Sequence, residues 1–318
     1  MDIVRFIKDW TLPISIFTGS VIYLIFAYVP WLDPVSVFMA PKLDLFLPLC
    51  TFGVLYVTFC KVDFHALRPV KWHLRILLVQ FALVTVLVVI AFAFPLSWHA
   101  RLLVEGMLAC VISPGATAAP VVTQKLGGNL EEMTSFTFLS NILSALLIPI
   151  SFSVITESRD VSFLQGFLKI SGEVALVLLL PMVCAYFTKH FLSGWHRRIV
   201  GVKDLAYYLW CANLLLVSGT TVRNILHAQT SGLFLLLMAV AVLLLCLVLF
   251  SMGRSIGKPL QAPVNAGQAL GQKNTVFAIW VANTYLNPLS SVGPGCYILW
   301  QNIINSVEIW SQTKKRKN

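Results

Sequence analysis

Charge is what this 318-residue chain has least of. Asp, Glu, Lys and Arg make up 11% of it while 58% is hydrophobic, against about 25% charged in a soluble domain, which excludes an ordinary soluble globular protein. Acidic residues are the scarcer sign, 13 against 23 Lys and Arg. That excess does not form the basic face a nucleic acid needs, because the cations fall in short loops between apolar runs. Metal-ligand spacing is also missing. The seven cysteines (Cys50, Cys60, Cys110, Cys184, Cys211, Cys246 and Cys296) are scattered singly and read as small buried hydrophobes. No His-Glu pair at zinc spacing, no Gly-x-Ser-x-Gly and no phosphate loop occurs, so neither an enzyme nor a cofactor or resident metal is expected. Met1–Trp10 carries Asp2, Arg5, Lys8 and Asp9, unlike a cleavable leader, so the first apolar run is expected to stay as an anchor.

What the chain does have is long apolar stretches, ten of them, at 11–30, 44–60, 74–95, 101–124, 132–156, 164–188, 204–223, 230–252, 262–286 and 291–312. Each approaches the ~20 residues that cross a bilayer as a helix, which predicts an all-α membrane protein of about ten spans. With the N-terminus inside, 17 Lys and Arg fall on the cytoplasmic side and 4 on the other: Lys42, Arg101, Arg159 and Arg223. This bias alternates through the loops and places both termini in the cytoplasm, in the plasma (inner) membrane of a cell. The tail Lys314-Lys315-Arg316-Lys317 fits the same rule and can also touch anionic lipid.

The fourth and ninth stretches are the polar ones, the fourth of each set of five. Repeats of five spans are inverted, so the chain divides into 1–158 and 159–318. Interrupted helices at matching places in two halves point to a transporter binding site. In the fourth, Ser113-Pro114-Gly115-Ala116-Thr117-Ala118-Ala119-Pro120 removes backbone donors and opens the helical ladder. It reads either as an opened segment inside the bundle that meets a polar solute, or as a proline kink packed against neighbours. In the ninth, Gly271-Gln272-Lys273-Asn274-Thr275 puts an ammonium about eleven residues into a span. Lys273 either faces the protein interior or snorkels to the surface. Lys169 and Glu173 read as a pair on one helix face, Glu105 and Glu308 as interfacial, and Asn141 and Asn213 as interhelical hydrogen-bond formers.

At these motifs the sequence resembles the bile acid:sodium symporter family, within the wider bile acid/arsenite/riboflavin transporter superfamily. The resemblance lies in Gly53–Asp63-Phe64 with Arg68-Pro69 and Gln80-Phe81, and in Ser113-Pro114-Gly115 through Val121-Val122-Thr123. It continues in Gly271-Gln272-Lys273-Asn274 and in Trp300-Gln301-Asn302. It implies ten helices in two inverted repeats, with helices 4 and 9 discontinuous and crossing mid-membrane, and a core and a panel domain. It also implies two sodium sites beside the crossover, and there the sequence departs. The family's Ser-Asn pair aligns with Ala119-Pro120, a serine of the fifth helix with Met133, the shared acidic residue with Ala269 and a glutamine with Lys273; Gln80, Thr137 and Asn274 match. Ala, Pro and Met offer no hard oxygen, and a Lys cannot bind a cation.

The resulting expectation is a secondary active transporter of a small organic anion working by alternating access. The residues assigned to substrate binding and coupling are Lys273, Asn274, Gln272, Gln80, Thr117, Thr137, Pro114 and Pro120. One lost carboxylate and one gained ammonium leave about the net charge that a carboxylate and two sodium ions would give. Coupling to H+ or none at all is therefore expected. A sodium-coupled symporter or a non-transporting receptor on the same fold are the alternatives.

Overall fold

A computed structural model of the chain describes residues 11–63, 67–155, 163–202, 205–227 and 230–317. Arg5, Lys8, Phe64, Arg159, Lys203 and the boundary at 158 lie outside the described residues. The helices run in order α1 (Thr11–Tyr28), α2 (Asp33–Cys60), α3 (Lys71–Ala93), α4 (Trp98–Ile112), α5 (Ala119–Lys125), α6 (Leu130–Ile155) and α7 (Phe163–Leu178). They continue as α8 (Leu180–Phe191), α9 (Ser193–Gly201), α10 (Leu205–Leu226), α11 (Gly232–Gly257), α12 (Pro263–Gly271), α13 (Thr275–Tyr285) and α14 (Val292–Lys317).

The helix starts follow local chemistry. Ser97 and Ser231 accept hydrogen bonds from the backbone N–H groups of Ala100 and Phe234 ahead of α4 and α11, meeting donors that no turn of helix can. Pro263 opens α12, where its missing N–H costs nothing. Helix α3 shows what surrounds the molecule. Its buried residues Trp72, Ile76, Gln80 and Val84 form one stripe at four-residue spacing. Leu74, Leu78, Phe81, Val86, Val89 and Phe92 are exposed around it. A helix apolar on its exposed side belongs in lipid.

Among the described residues five stretches are long and apolar enough to cross a bilayer: Lys71–Ala93, Leu130–Ile155, Phe163–Phe191, Leu205–Leu226 and Gly232–Leu260. Shorter apolar helices lie at Ile14–Tyr28 and Leu45–Cys60. The fourth and ninth sequence stretches fall short because each is cut in two, α4 from α5 and α12 from α13, and each can cross only as a pair of half-helices. The chain is an integral, multi-pass membrane protein.

Packing divides the chain into two units. One takes Met1–Lys61 and Leu180–Gln229, the other Val62–Leu179 and Thr230–Asn318. Each draws on both 1–158 and 159–318, so the packing units are not the two sequence halves. In the first, α1 lies along α10 and α2 packs on α8 and α10. There the hydroxyls of Tyr56 and Thr188 are 2.9 Å apart, and His196 Nε2 donates to the Cys60 carbonyl at 2.8 Å.

In the second unit α12 lies flat against α11. A Cβ at Gly253 would run into the Ala266 carbonyl and one at Gly257 into that of Ala262, while Gly267 and Gly271 on α12 meet the Arg254 and Phe250 side chains. Two small-xxx-small patterns thus face each other, which lets two backbones touch in a setting without a hydrophobic driving force.

Candidate functional site

The site is built where the two broken helices end. Residues 113–118 separate α4 from α5 and residues 272–274 separate α12 from α13. The two breaks pair antiparallel, Gly115 opposite Lys273, before the first turns into α5. Ala116 donates its N–H to the Gln272 carbonyl and Asn274 donates to the Pro114 carbonyl, both at 2.9 Å. Two peptide segments that abandon their own helices therefore satisfy each other, as a non-aqueous interior requires.

The remaining backbone groups are met by side chains. At the end of α4, Ser144 Oγ donates to the Ile112 carbonyl at 2.7 Å, and the Gln80 amide donates to Val111 and Ser113 at 3.1 and 3.2 Å. Lys273 is 0% exposed, and its Nζ donates to the same two carbonyls at 3.2 Å each. The amine is thus in the interior, not snorkelled to a surface. It sits at the C-terminal, negative end of α4, where a cation is favoured. The second break is held in the same way. Tyr297 Oη donates to the Gly271 carbonyl at 2.6 Å, closing the end of α12. Gln301 Oε1 accepts the Lys273 N–H at 2.9 Å and its Nε2 donates to the Lys273 carbonyl at 3.2 Å. Its counterpart on α6 is Ser140, whose Oγ accepts the Gly115 N–H at 2.7 Å. Asn274 caps α13 by accepting from the Phe277 N–H at 3.3 Å.

Of the residues named from the sequence, Lys273, Asn274, Gln272, Gln80 and Pro114 meet at this crossing. Thr117 lies on the link into α5 and Pro120 in its first turn; Thr117 is half-buried and Pro120 buried. Thr137 does not reach the crossing through its hydroxyl, which donates to the Met133 carbonyl one turn back on α6 at 3.0 Å. Ser140, Ser144, Tyr297 and Gln301 do bond the breaks and were not foreseen. The four-residue spacing of each pair, 140/144 and 297/301, carries the signal, since it puts both on one helix face.

Glu105 is 5% exposed; it takes the Arg101 guanidinium at 3.0 Å and the Ser290 hydroxyl at 2.7 Å. Two other expectations change. Glu173 accepts from the Tyr285 hydroxyl at 2.6 Å, a partner from another helix rather than Lys169. Asn141 donates back to the Thr137 carbonyl of its own helix at 2.7 Å.

Gln301 gives a direct check on this geometry. Gln301→Leu leaves the Lys273 N–H buried and unpartnered, at about 1–3 kcal/mol, while the Lys273 carbonyl keeps the Thr275 N–H at 2.9 Å. A drop in melting temperature and loss of monodispersity on size-exclusion chromatography are expected.

Interrupted membrane helices whose breaks cross inside the protein define a class, the multi-pass transporters. Residues 63–299 match the SBF-like CPA transporter family, a bile acid:sodium symporter-type family, and the chain belongs to it. Along its whole length it is also similar, at 25% identity over 333 aligned positions and 97% of the relative's length, to the uncharacterized sodium-dependent transporter YocS of Bacillus subtilis (strain 168). The protein is a transporter and carries a substrate through a membrane.

Proposed function

We propose that this transporter moves a small organic anion by alternating access, with the ammonium of Lys273 standing permanently where a relative would bind a cation. The observation that carries the reading is the placement of Nζ on the carbonyls of Val111 and Ser113. Backbone carbonyls at a helix C-terminus are ligands for a hard cation, and a tethered amine that fills such a place removes the need for a free ion. The substitutions around it agree. Ala119, Pro120, Met133 and Ala269 are buried and have no side-chain oxygen.

Anion preference is supported by charge. Gln80, Ser140, Ser144, Gln272, Asn274, Tyr297 and Gln301 gather at the breaks and bring no carboxylate, so Lys273 is not neutralised by any of them. In a medium of low dielectric an uncompensated cation attracts an anion strongly. Lys273 holds the crossing and supplies the field; Gln272, Asn274, Thr117 and the peptide groups of 114–120 supply polar contacts. Coupling is to H+ or absent.

In this reading the chain has ten spans in two inverted repeats, 1–158 and 159–318, with both termini cytoplasmic in the plasma membrane. The unit carrying the crossing is the core and the other is the panel. The like treatment of the two breaks, each held by a pair of side chains four residues apart, supports an internal repeat.

The test begins with a thermal-shift screen of small carboxylates and sulfonates. Uptake of the hits into proteoliposomes is then measured with sodium replaced by choline. Equal uptake in both media is expected, and strict dependence on sodium overturns the reading. That outcome would favour sodium-coupled symport, a second reading supported by the name of the Bacillus relative and by the matches to the family at Gln80 and Asn274.

A further inference from the structure

Away from the crossing, α12 is tied to its neighbours by a second polar cluster. Gln268 is 1% and Asn305 4% exposed. Gln268 Nε2 donates to Asn305 Oδ1 at 2.9 Å and to Glu308 Oε2 at 3.3 Å, and the other carboxylate oxygen takes Arg254. The cluster therefore joins α12 to α14 and α14 to α11. Arg254 is 40% and Glu308 16% exposed at the side chain, so one edge of it opens at the C-terminal end of α11, the end read from the sequence as cytoplasmic and wet. Gln268 Oε1 and Asn305 Nδ2 are buried without a hydrogen-bond partner.

We propose that Glu308 takes up and releases a proton and that the amide of Gln268 reads its charge, passing it to the half-helix α12 that leads into Lys273. The inference deepens the proton-linked form of the reading above and rests on it for its use in transport. A charged carboxylate requires an N–H from Gln268, and that is the orientation observed. When a proton from the adjoining water adds to Glu308, the acid becomes an O–H donor and needs an acceptor. The Gln268 amide then turns so that Oε1 receives that hydrogen, and the Asn305 amide turns with it to present Nδ2. With no partner on Gln268 Oε1 or Asn305 Nδ2, no bond on their far side must break for this rotation.

The two states hold α12 unequally. The ionised acid binds Gln268 through a charge-assisted bond, roughly twice as strong as the neutral one that replaces it, and protonation also releases Arg254 from its ion pair. Arg254 is the charged group bonded to Glu308. On α4 and α13, which also pack against α14, Arg101 and Glu105 pair with each other and Tyr285 with Glu173. The thiols Cys110 on α4 and Cys246 on α11 are buried.

Hydrogen–deuterium exchange of the peptides covering 263–275, in the full-length protein in lipid nanodiscs, tests this. The exchange is corrected for the intrinsic pH dependence of amide exchange. The wild type should show one step between neutral and acidic pH, with these amides several-fold less protected on the acid side. Glu308→Gln should be poorly protected at every pH, and Gln268→Leu should lose the step. A wild type without a step overturns the proposal, as does a step that survives in Glu308→Gln. If that variant does not fold, Gln268→Leu decides: a step that survives it rules out the relay. Strict sodium dependence of uptake would refute the sodium-independent reading and leave this step in place.

Discussion

Lys273→Met is expected to leave the protein folded while uptake falls by about tenfold or more, which corresponds to about 1.4 kcal/mol or more on the rate-limiting barrier. Both effects follow from the bonds of Nζ. The carbonyls of Val111 and Ser113 keep the Gln80 amide as a donor, so removing the amine orphans neither, and the loss of stability is about 1 kcal/mol. Methionine fills nearly the same apolar path without the cost of burying a charge. What disappears is the fixed positive charge beside the paired breaks. Uptake into proteoliposomes and thermal unfolding, measured on one preparation, separate the two. Wild-type rates in the variant would remove Lys273 from the mechanism. A collapse of thermal stability with it would make the amine a strut rather than a charge.

The largest effect on stability is expected from Gly253→Leu. The residue touches the Ala266 carbonyl across the α11–α12 contact, and backbone cannot step aside as a flexible side chain can. Overpacking costs about 1–3 kcal/mol where side chains can adjust, and here the half-helix itself must move. Because α12 carries Gly271 and leads into Gln272 and Lys273, a shift along it also displaces the Ala116–Gln272 and Asn274–Pro114 bonds. The variant should elute as aggregate or melt well below wild type. Gly253→Ala should show the same defect in milder form. A monodisperse, wild-type-stable Gly253→Leu would show that the two helices need not touch.

Much of this was legible in the residues. The apolar runs, the absence of charge within them and the one-sided Lys and Arg loops define a helical membrane protein, because a bilayer admits little else. The prolines at 114 and 120 mark one broken helix. The run Gly271-Gln272-Lys273-Asn274 marks the other, where polarity rather than proline is the cue. The partners of those breaks were harder to read. Ser140, Ser144 and Tyr297 look like ordinary polar residues of membrane helices, and Gln301 stood within the Trp300-Gln301-Asn302 motif without a role assigned to it. Thr137, credited with a role at the crossing, donates its hydroxyl proton within its own helix, a bond that Ser and Thr make readily in apolar surroundings, and keeps only the oxygen's lone pairs for another partner.

By itself, then, the sequence determined that the chain lives in lipid, marked two stretches where a helix would be interrupted or kinked, and put a lysine well inside one of them. These properties depend on hydropathy and on backbone donors, which are local and add along the chain. Only the tertiary structure decided that the two interruptions pair with each other, that the amine rests on the carbonyls of Val111 and Ser113, and that Glu308 meets Gln268 and Arg254. Each of those contacts joins residues far apart in sequence, in one case 162 positions. Which donor meets which acceptor in a dry interior is settled when every helix has found its neighbours, because an unmet backbone group there costs more than any single side chain's local preference.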